Sequence, residues 1–400
     1  MRSAQLAALA VLCAVLGGLA ALGIGALTGW TGSDSTTTVF RAAPVDQAGT
    51  AATAAVGPAA KPLAGNGFSP TAIYAHRSAG VVTLVSDFGT DPDAAQRSQG
   101  SGFVVSPQGY ILTSSHVVTT AGDGAVAQPA DRVFVEFQDH DRVQAKIVGW
   151  DVFDDVGLIK VDPSAHALAP VPLGNSAAVQ VGEPVAAIGS PFGNENSLAV
   201  GVVSATKRSI ESLTSDFDLV DAIQTDAPIN HGNSGGPLFD ARGRVIGINA
   251  QIRSNSGNAE GVGFAVPINS ARRSMDELIA NGAVSYAYVG VLTTDLTPAI
   301  ARRLGYDVSR GAVVTRVSEG GPAASAGLRA GDATENVLGV DFPRGSDVIV
   351  AIDGKPVNGS EDIARIVTNL EPGQIVTFGI RRGKDRLQLP VRLGERPETH

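Results

Sequence analysis

Between about residue 68 and residue 275 the chain consists of short apolar runs, many alternating with polar residues and each closed by Gly, Pro, Asn or Asp. Representative runs are GVVTLVS, DRVFVEF, QAKIVGWD, DVGLIKV and GRVIGINAQI. Strands at this spacing, with no helical segment between them, are typical of an all-β barrel or sandwich. Because loops and strand ends carry the chemistry of such folds, candidate functional residues are sought there.

The composition limits the partners and cofactors that the chain can use. Its 400 residues, of which 44% are hydrophobic, are enough for about two or three packed domains. A net charge of −9 and a pI near 5.2 provide no broad basic surface, so nucleic acid is not expected as a partner. The single cysteine, Cys13, excludes an internal disulfide framework and a thiolate-rich metal cluster. We therefore expect no metal and no other cofactor.

The N-terminal part differs from the rest of the chain. Residues 3–30 carry no charge, over a length greater than the roughly 20 residues that span a bilayer. We predict a cytoplasmic tip and a signal-anchor transmembrane helix at residues 1–30, with Arg2 inside; a cleaved signal peptide is the alternative. Residues 31–67 are small and broken by Pro and Gly, which predicts a flexible linker. The protein is then a single-pass protein of the cell membrane, with its folded domains on the extracytoplasmic side.

Three strand ends carry the side chains that nucleophilic catalysis requires. His116 ends the run YILTSSHVV, Asp155 opens DVGLIKV, and Ser234 lies in INHGNSGGPLFD. A serine hydroxyl is a weak nucleophile, so it needs an imidazole to take its proton and a carboxylate to hold that imidazole. Each residue alone has a simpler explanation: a structural histidine, a turn-capping aspartate or a serine in a tight turn. Their order along one all-β region is the stronger indication.

The glycines around Ser234 allow more than one interpretation. They fit the G-x-S-x-G elbow of α/β-hydrolases, but that fold needs its histidine after the serine, and the only later histidine is His400. The elbow is therefore rejected. Glycines can also turn backbone N–H groups toward a developing oxyanion. We predict an oxyanion hole formed by Gly232, Asn233 and Ser234, with the N–H groups of Gly232 and Ser234 as donors.

Five segments together resemble the HtrA/Deg family of trypsin-fold serine proteases. They are GSGFVVSPQGYILTSSHVV, DVGLIKV, AIGSPFG, IQTDAPINHGNSGGPLFDARGRVIGINA and GVGFAVPI, and the resemblance covers residues 68–394. It implies a mainly β fold with two six-stranded β-barrels of the trypsin-like type in a protease domain at residues 68–280. It also implies that His116 is the general base, Asp155 the orienting acid and Ser234 the nucleophile.

Asp154 and His231 are two positions near the candidate catalytic residues whose relation to the family pattern affects the assignment. Asp154 directly precedes Asp155, but the family's Asp-aliphatic-small-Leu pattern fits Asp155. His231 stands where the family usually has proline, and it is close enough in sequence to the oxyanion loop to affect its geometry.

The resemblance also bears on specificity and activation. Digestive trypsin-like enzymes carry an acidic residue six positions before the nucleophile, where this chain has Pro228, followed by Ile229. We therefore predict an apolar pocket for small or medium aliphatic side chains, with Asn249 and Ala250 also assigned to substrate binding. The residue before the nucleophile is Asn233 instead of the aspartate that pairs with a newly cut N-terminus, so zymogen cleavage is not expected.

Residues 285–394 resemble the permuted PDZ domain that follows the protease in the same family. PDZ domains bind peptide C-termini along a free sheet edge, with backbone N–H groups aimed at the carboxylate. The resemblance assigns the carboxylate-binding loop to Tyr288, Val289, Gly290 and Val291. In the helix SEDIARIVTNL, one or two of four apolar residues are expected to line the groove: Ile363, Ile366, Val367 and Leu370. Residues 333–346 are longer than the usual link, and their role does not follow from the sequence.

The function implied is that of a membrane-anchored, ATP-independent serine endopeptidase from a bacterium. It would cut unfolded or misfolded extracytoplasmic proteins in quality control and stress. The resemblance also implies a homotrimer built through the segment before the first strand, where Phe68 and Tyr74 are contact candidates unless they cap their own barrel. Two alternatives share the motifs: a regulatory protease with one specific membrane substrate, and a catalytically silent chaperone or adaptor.

Overall fold

The computed structural model describes residues 67–89, 96–121, 126–190, 197–230, 232–250, 262–337 and 339–397. All of these residues belong to one compact unit, Leu63–His400. The membrane helix predicted at residues 1–30, nearly all of the linker predicted at residues 31–67, and His231 lie outside the described residues. Within the described ranges, no helix is long and apolar enough to cross a membrane.

The first barrel is a closed antiparallel sheet with the strand order β1-β2-β3-β6-β5-β4. Its strands are β1 (Val81–Phe88), β2 (Gln96–Val104), β3 (Tyr110–Thr113), β4 (Arg132–Glu136), β5 (Arg142–Asp151) and β6 (Val156–Lys160). Helix α1 (Pro70–Arg77) precedes β1, and the short helix α2 (Ser115–Val118) follows β3. Helix α1 begins where Ser69 caps it, since the Ser69 hydroxyl accepts a hydrogen bond from the Ala72 N–H.

The second barrel is closed in the order β10-β11-β12-β9-β8-β7. Its strands are β7 (Pro184–Gly189), β8 (Ser197–Ile210), β9 (Leu219–Thr225), β10 (Pro237–Phe239), β11 (Val245–Ala250) and β12 (Gly263–Pro267). Helix α3 (Ile268–Asn281) follows and ends at Gly282, whose φ of 76° suits a glycine C-cap. The predicted pair of six-stranded barrels is confirmed.

Alternation along the strands places one set of side chains inside each barrel and the other set between the barrels. In β1, Val82 and Leu84 belong to the core of the first barrel, whereas Val81 belongs to a cluster shared by both barrels. In β7, Val185 lies in the core of the second barrel and Ile188 in the shared cluster. Burying each such side chain contributes on the order of 1.5–3 kcal/mol. The two barrels are therefore joined by a continuous apolar interface.

The C-terminal domain is built on an antiparallel sheet in the order β14-β15-β18-β20-β21, with β19 paired to β18. The strands are β13 (Ala287–Tyr288), β14 (Val291–Leu296), β15 (Gly311–Val317), β16 (Ala333–Val337), β17 (Val340–Arg344), β18 (Val348–Ile352), β19 (Lys355–Pro356), β20 (Ile375–Arg382), β21 (Asp385–Arg392) and β22 (Gly394–Glu395). The helices are α4 (Pro298–Leu304), α5 (Pro322–Ser325) and α6 (Ser360–Thr368). Strand β14 is an edge of this sheet, as a PDZ-type groove requires.

The segment of residues 333–346 forms a β-hairpin of β16 and β17. Val337 and Phe342 of this hairpin are buried together with Ile300 of α4 and Val348 of β18. The hairpin thus adds a small apolar cluster to the domain on the side of α4.

Candidate active site

The three candidate catalytic residues come from both barrels. His116 lies in α2, Asp155 in the turn between β5 and β6, and Ser234 in the loop between β9 and β10. That loop is held against the first barrel, because the backbone N–H of Ser101 in β2 donates to the carbonyl of Ser234 at 2.8 Å.

Gly235 shows how closely the serine loop approaches the first barrel. Its φ is 82°, and an added Cβ would lie 2.3 Å from the Ser101 carbonyl oxygen and 2.9 Å from the Ser114 nitrogen. Only glycine fits such a position. Ser114 lies two residues before His116, so the loop of Ser234 adjoins the element that carries His116.

His116 and Asp155 are in direct contact. The Nδ1 atom of His116 lies 2.9 Å from Oδ2 and 3.1 Å from Oδ1 of Asp155. Asp155 is buried, and its Oδ1 also accepts hydrogen bonds from the Ser115 hydroxyl at 2.7 Å and the His116 backbone N–H at 3.1 Å. A carboxylate at Nδ1 favours the tautomer that carries its hydrogen there, which leaves Nε2 as a proton acceptor.

The two side chains shift each other's pKa. Burial alone lowers the pKa of His116, but the charge of Asp155 and its hydrogen bond outweigh burial, so the pKa lies above its usual value. Burial alone raises the pKa of Asp155, but the charge of His116 and the hydrogen bonds from His116 and Ser115 lower it overall. The pair therefore favours an ionised carboxylate beside a basic imidazole.

The hydroxyl of Ser234 is buried and has no hydrogen-bond partner among the residues that the structure describes. The structure thus shows the hydrogen bond between His116 and Asp155, but no hydrogen bond between the Ser234 hydroxyl and His116. In unliganded enzymes, catalytic hydrogen bonds are often long and tighten only when substrate is bound.

The backbone around Ser234 leaves two N–H groups free. The N–H of Asn233 donates to the carbonyl of Asn230 at 3.0 Å, closing a turn in which Gly232 has a φ of 100°. The N–H groups of Gly232 and Ser234, by contrast, donate to no acceptor within the described part of the chain. These are the two donors predicted for the oxyanion hole, whereas the N–H of Asn233 is already occupied.

Two side chains anchor this loop. The hydroxyl of Ser101 donates to the Gly232 carbonyl and accepts from the Ser190 N–H at 2.9 Å, so it fixes the peptide plane after Gly232. The side-chain amide of Asn233 donates to the Pro228 carbonyl at 3.2 Å. The side chain of Asn233 therefore connects the loop to Pro228, near the start of the loop. Zymogen-activated proteases carry an aspartate at the position of Asn233.

The residues predicted for the substrate pocket lie in different surroundings. Pro228 is exposed, and Ile229 is half-buried against the core of the second barrel. Asn249 is fully buried, with its backbone bonded to Gly235 and Gly236. Ala250 is also buried. Asn249 therefore supports the serine loop from behind.

The C-terminal domain carries a groove of 340 Å³ between β14 and α6. The predicted loop residues Tyr288, Val289, Gly290 and Val291 line it, as do Ile363 and Val367 of α6. The expectation that one or two of the four apolar helix residues line the groove is thereby confirmed. Phe217, in the loop between β8 and β9, and Val220 of β9 also line the groove, which the sequence did not indicate.

A buried polar cluster, which the sequence also did not predict, joins the protease region to the C-terminal domain. Asp151 accepts hydrogen bonds from the Tyr286 hydroxyl at 2.6 Å and the Ser274 hydroxyl at 2.7 Å. The guanidinium of Arg396 lies over the rings of Phe153, Phe217 and Tyr286. No local motif marks such a cluster, because its members are brought together only by the tertiary fold.

Asp154 belongs to this cluster and not to the candidate triad. Its Oδ2 accepts from Arg273 at 3.2 Å, and Arg273 also donates to the Thr368 carbonyl at 2.6 Å. Burial, reinforced by the charge of Asp151, raises the pKa of Asp154 to about 6 against the opposing charge of Arg273. The choice of Asp155 as the partner of His116 agrees with this geometry.

Two closed barrels, with a His–Asp pair on one and a glycine-flanked serine on the other, define a trypsin-like peptidase domain. The C-terminal sheet, in which β14 is an edge strand, defines a PDZ domain. Family models agree with this class: a trypsin-like peptidase domain matches residues 100–248, and a PDZ domain matches residues 287–393.

Relatives and solved structures narrow the class to one family. A DegP-like probable periplasmic serine endoprotease of Pseudomonas fulva (strain 12-X) is 41% identical over 301 residues, which is 75% of this chain and 57% of the relative. A protein of the same description from Hahella chejuensis is 40% identical over 306 residues, 76% of this chain and 59% of the relative. The chain therefore spans less than two thirds of these relatives.

A solved structure of the HtrA-type protease AlgW with a decapeptide matches with a TM-score of 0.65 and 33% identity, covering 82% of this chain and 99% of that chain. A serine endoprotease from Yersinia pestis matches with a TM-score of 0.59 and 27% identity, covering 82% of this chain and 98% of that chain. The chain belongs to the family of HtrA-type proteases, and the resemblance found in its sequence is confirmed.

Proposed function

We propose that the protein is an ATP-independent serine endopeptidase that hydrolyses unfolded or misfolded extracytoplasmic proteins. The observation that carries this proposal is the hydrogen bond between His116 and Asp155, beside a loop in which the N–H groups of Gly232 and Ser234 have no acceptor among the described residues. Family membership supports the same reaction.

In the proposed reaction, Ser234 Oγ attacks the scissile carbonyl carbon while Nε2 of His116 takes the hydroxyl proton. Asp155 holds the Nδ1–H and stabilises the imidazolium. The N–H groups of Gly232 and Ser234 donate to the oxyanion, each contributing about 3 kcal/mol of transition-state stabilisation by comparison with other hydrolases. The C–N bond then breaks, His116 gives its proton to the leaving amine, and water hydrolyses the acyl-enzyme by the same steps.

The proposed specificity is for small or medium aliphatic residues before the scissile bond. Pro228 and Ile229 offer an apolar wall and no carboxylate, so Lys and Arg gain no ion pair there. Ala250 completes the assigned pocket. Asn249 is buried and supports the loop of Ser234 through its backbone hydrogen bonds to Gly235 and Gly236.

We propose the following arrangement of the full chain: a membrane anchor at residues 1–30, a linker at 31–67, a protease domain at 68–280 and a PDZ domain at 285–394. The description of the relatives as periplasmic supports an extracytoplasmic site. The groove between β14 and α6 would bind peptide C-termini, with the carboxylate held at Tyr288, Val289, Gly290 and Val291.

A homotrimer is also proposed. Phe68 and Tyr74 are only partly buried against the shared core of their own chain. Beside them, β8 exposes a row of apolar side chains on one face: Leu198 at 36%, Val200 at 43% and Val202 at 38%. Light scattering of the full chain, and of a Phe68→Ala and Tyr74→Ala double variant, tests this assembly: a wild-type monomer would contradict it.

Digestion of denatured casein by the full chain tests the proposed activity. The wild-type chain should cut after Val, Ala or Ile, as mass spectrometry of the products would show, and Ser234→Ala should lose cleavage while remaining folded. The matched control is Ser106→Ala, which removes a serine from the turn after β2. Cleavage that persists in Ser234→Ala, or products dominated by Lys and Arg, would contradict the proposal.

The alternatives give different outcomes in the same assay. A regulatory protease would leave casein intact and cut one membrane substrate, with Ser234 still required. A silent chaperone or adaptor would cut nothing while suppressing aggregation of an unfolded protein, and Ser234→Ala would not change that effect.

A further inference from the structure

Two surface pockets on the first barrel share one side chain, Arg97. The first pocket, of 220 Å³, is lined by His116 together with Arg97, Gln96, Ser98 and Thr119. The second, of 450 Å³, is lined by Arg97, Arg132, Arg142, Phe134 and Asp87. A continuous polar surface therefore leads from His116 onto the outer face of the barrel.

The strand register explains why these side chains lie together. Asp87 of β1 is directly opposite Arg97 of β2 on one side and Arg132 of β4 on the other. Residues directly opposite in antiparallel strands share a face, and Phe134 shares it too, two residues after Arg132. The guanidinium of Arg142, from β5, lies 4.4 Å from the centre of the Phe134 ring.

The charge on this face is not balanced. Asp87 is buried, and its one carboxylate serves two guanidiniums, with Arg97 at 3.0 Å and Arg132 at 3.1 Å. Among the described residues, the other acid facing this row is Glu136, the cross-strand partner of Arg142. Among the side chains that the structure describes on this face, three arginines thus face two carboxylates, an excess of positive charge in a chain whose net charge is −9.

Arg97 is the member best placed to meet a ligand. Its side chain is 64% exposed, and among the described residues it makes one ion pair, through Nε, to Asp87. Its terminal N–H groups have no acceptor in the part of the chain that the structure describes. The guanidinium of Arg142 stacks on Phe134, and its N–H groups make no hydrogen bond to another described residue.

The position of this surface relative to the proposed cleavage site gives its role. The pocket for the residue before the scissile bond is assigned to the second barrel, at Pro228 and Ile229. The leaving amine receives its proton from His116, and Arg97 lines the same pocket as His116, so the residues after the scissile bond are expected to pass Arg97.

We propose that Arg97, Arg132 and Arg142 form a basic subsite that selects substrates with aspartate or glutamate after the scissile bond. This inference rests on the proposed endopeptidase function and names a feature of its substrates. The ligand is an acidic stretch of polypeptide, whose carboxylates pair with the arginine N–H groups.

Three matched peptides test the subsite. Each carries valine before the scissile bond and Glu, Gln or Lys at the second to fourth positions after it. With the full chain at low ionic strength, kcat/KM for the Glu peptide should exceed that for the Gln peptide by about three- to tenfold, as expected of exposed ion pairs. Added salt should reduce the ratio, because ions screen exposed charges.

Variants of the arginines then test whether these residues cause the preference for the Glu peptide. Arg97→Gln with Arg142→Gln keeps the Arg132–Asp87 pair, so the buried carboxylate retains a partner, and the Glu-to-Gln ratio should fall close to one. Arg97→Glu should reverse the order and favour the Lys peptide. The control, Arg386→Gln, removes an exposed arginine of the PDZ domain and should leave the ratio unchanged.

The outcomes separate this inference from the function on which it rests. Equal cleavage of the three peptides, or a preference for Glu that survives both arginine variants, overturns the subsite and leaves the endopeptidase intact. A chain that cleaves none of the three peptides and no casein overturns both.

Discussion

Asp154 and Asp155 are neighbours in the chain, yet their carboxylates face different partners: Asp155 accepts from His116 at 2.9 Å, and Asp154 accepts from Arg273 at 3.2 Å. One carboxylate is thereby directed to the candidate catalytic histidine and the other to the contact with the PDZ domain.

Asp155→Asn should lower kcat by about 10⁴-fold, because an amide at this position does not hold His116 in the tautomer that accepts the serine proton. Asp154→Asn is the matched control, since it changes the adjacent carboxyl group in the same way and should retain most of the activity. Steady-state kinetics on a peptide with valine before the scissile bond compares the two. Equal losses in both variants would contradict the assignment of Asp155.

The pH dependence of kcat/KM should report His116. The imidazole must be neutral to take the serine proton, and its pKa is raised above 6.5 because the charge of Asp155 and its hydrogen bond together outweigh burial. Activity should therefore fall as the pH drops, with the midpoint of the acid limb above pH 6.5. Asp155→Asn should move that midpoint to lower pH in the residual activity. An acid limb well below pH 6.5 in the wild-type chain would contradict this electrostatic account.

The free energy of unfolding should depend on pH partly through the carboxyl group of Asp154. Its pKa is raised from 3.8 to about 6 in the folded protein, so the folded state holds more protons than the unfolded state between these values. The contribution to the free energy of unfolding therefore declines as the pH rises through this window. Urea unfolding at pH 4 and pH 7 should show a smaller decline in Asp154→Asn than in the wild-type chain. Asp385→Asn, at an exposed position, serves as the control; identical profiles for all three chains would contradict the prediction.

Ser101→Ala should weaken both the fold and the activity. The Ser101 hydroxyl donates to the Gly232 carbonyl and accepts from the Ser190 N–H, and loss of the donor to the buried Gly232 carbonyl costs about 1–3 kcal/mol. Because the Gly232 peptide is no longer fixed, kcat should also fall. Ser86→Ala is a matched control, since Ser86 is a buried serine of the same barrel whose hydroxyl has no partner among the described residues. Equal effects of the two substitutions would show that Ser101 does not position the loop.

The sequence predicted those parts of the molecule whose signal is local. The period-two runs indicated the barrels, and the motifs around His116, Asp155 and Ser234 indicated the candidate site. The sequence did not predict the cluster around Asp151, because Asp151 and Tyr286 are 135 residues apart and each is an ordinary residue in its own segment. The same is true of Arg97 and His116, whose shared pocket depends on how the strands β1 and β2 meet α2.

The contact between Gly235 and Ser101 has a consequence for newly made chains. The loop of Ser234, the candidate nucleophile, comes from the second barrel, and its anchor, Ser101, comes from the first. A chain with only one barrel closed holds a serine without its histidine, or a histidine without its serine. Ser234 and His116 therefore become neighbours only in a chain in which both barrels are closed and packed on each other.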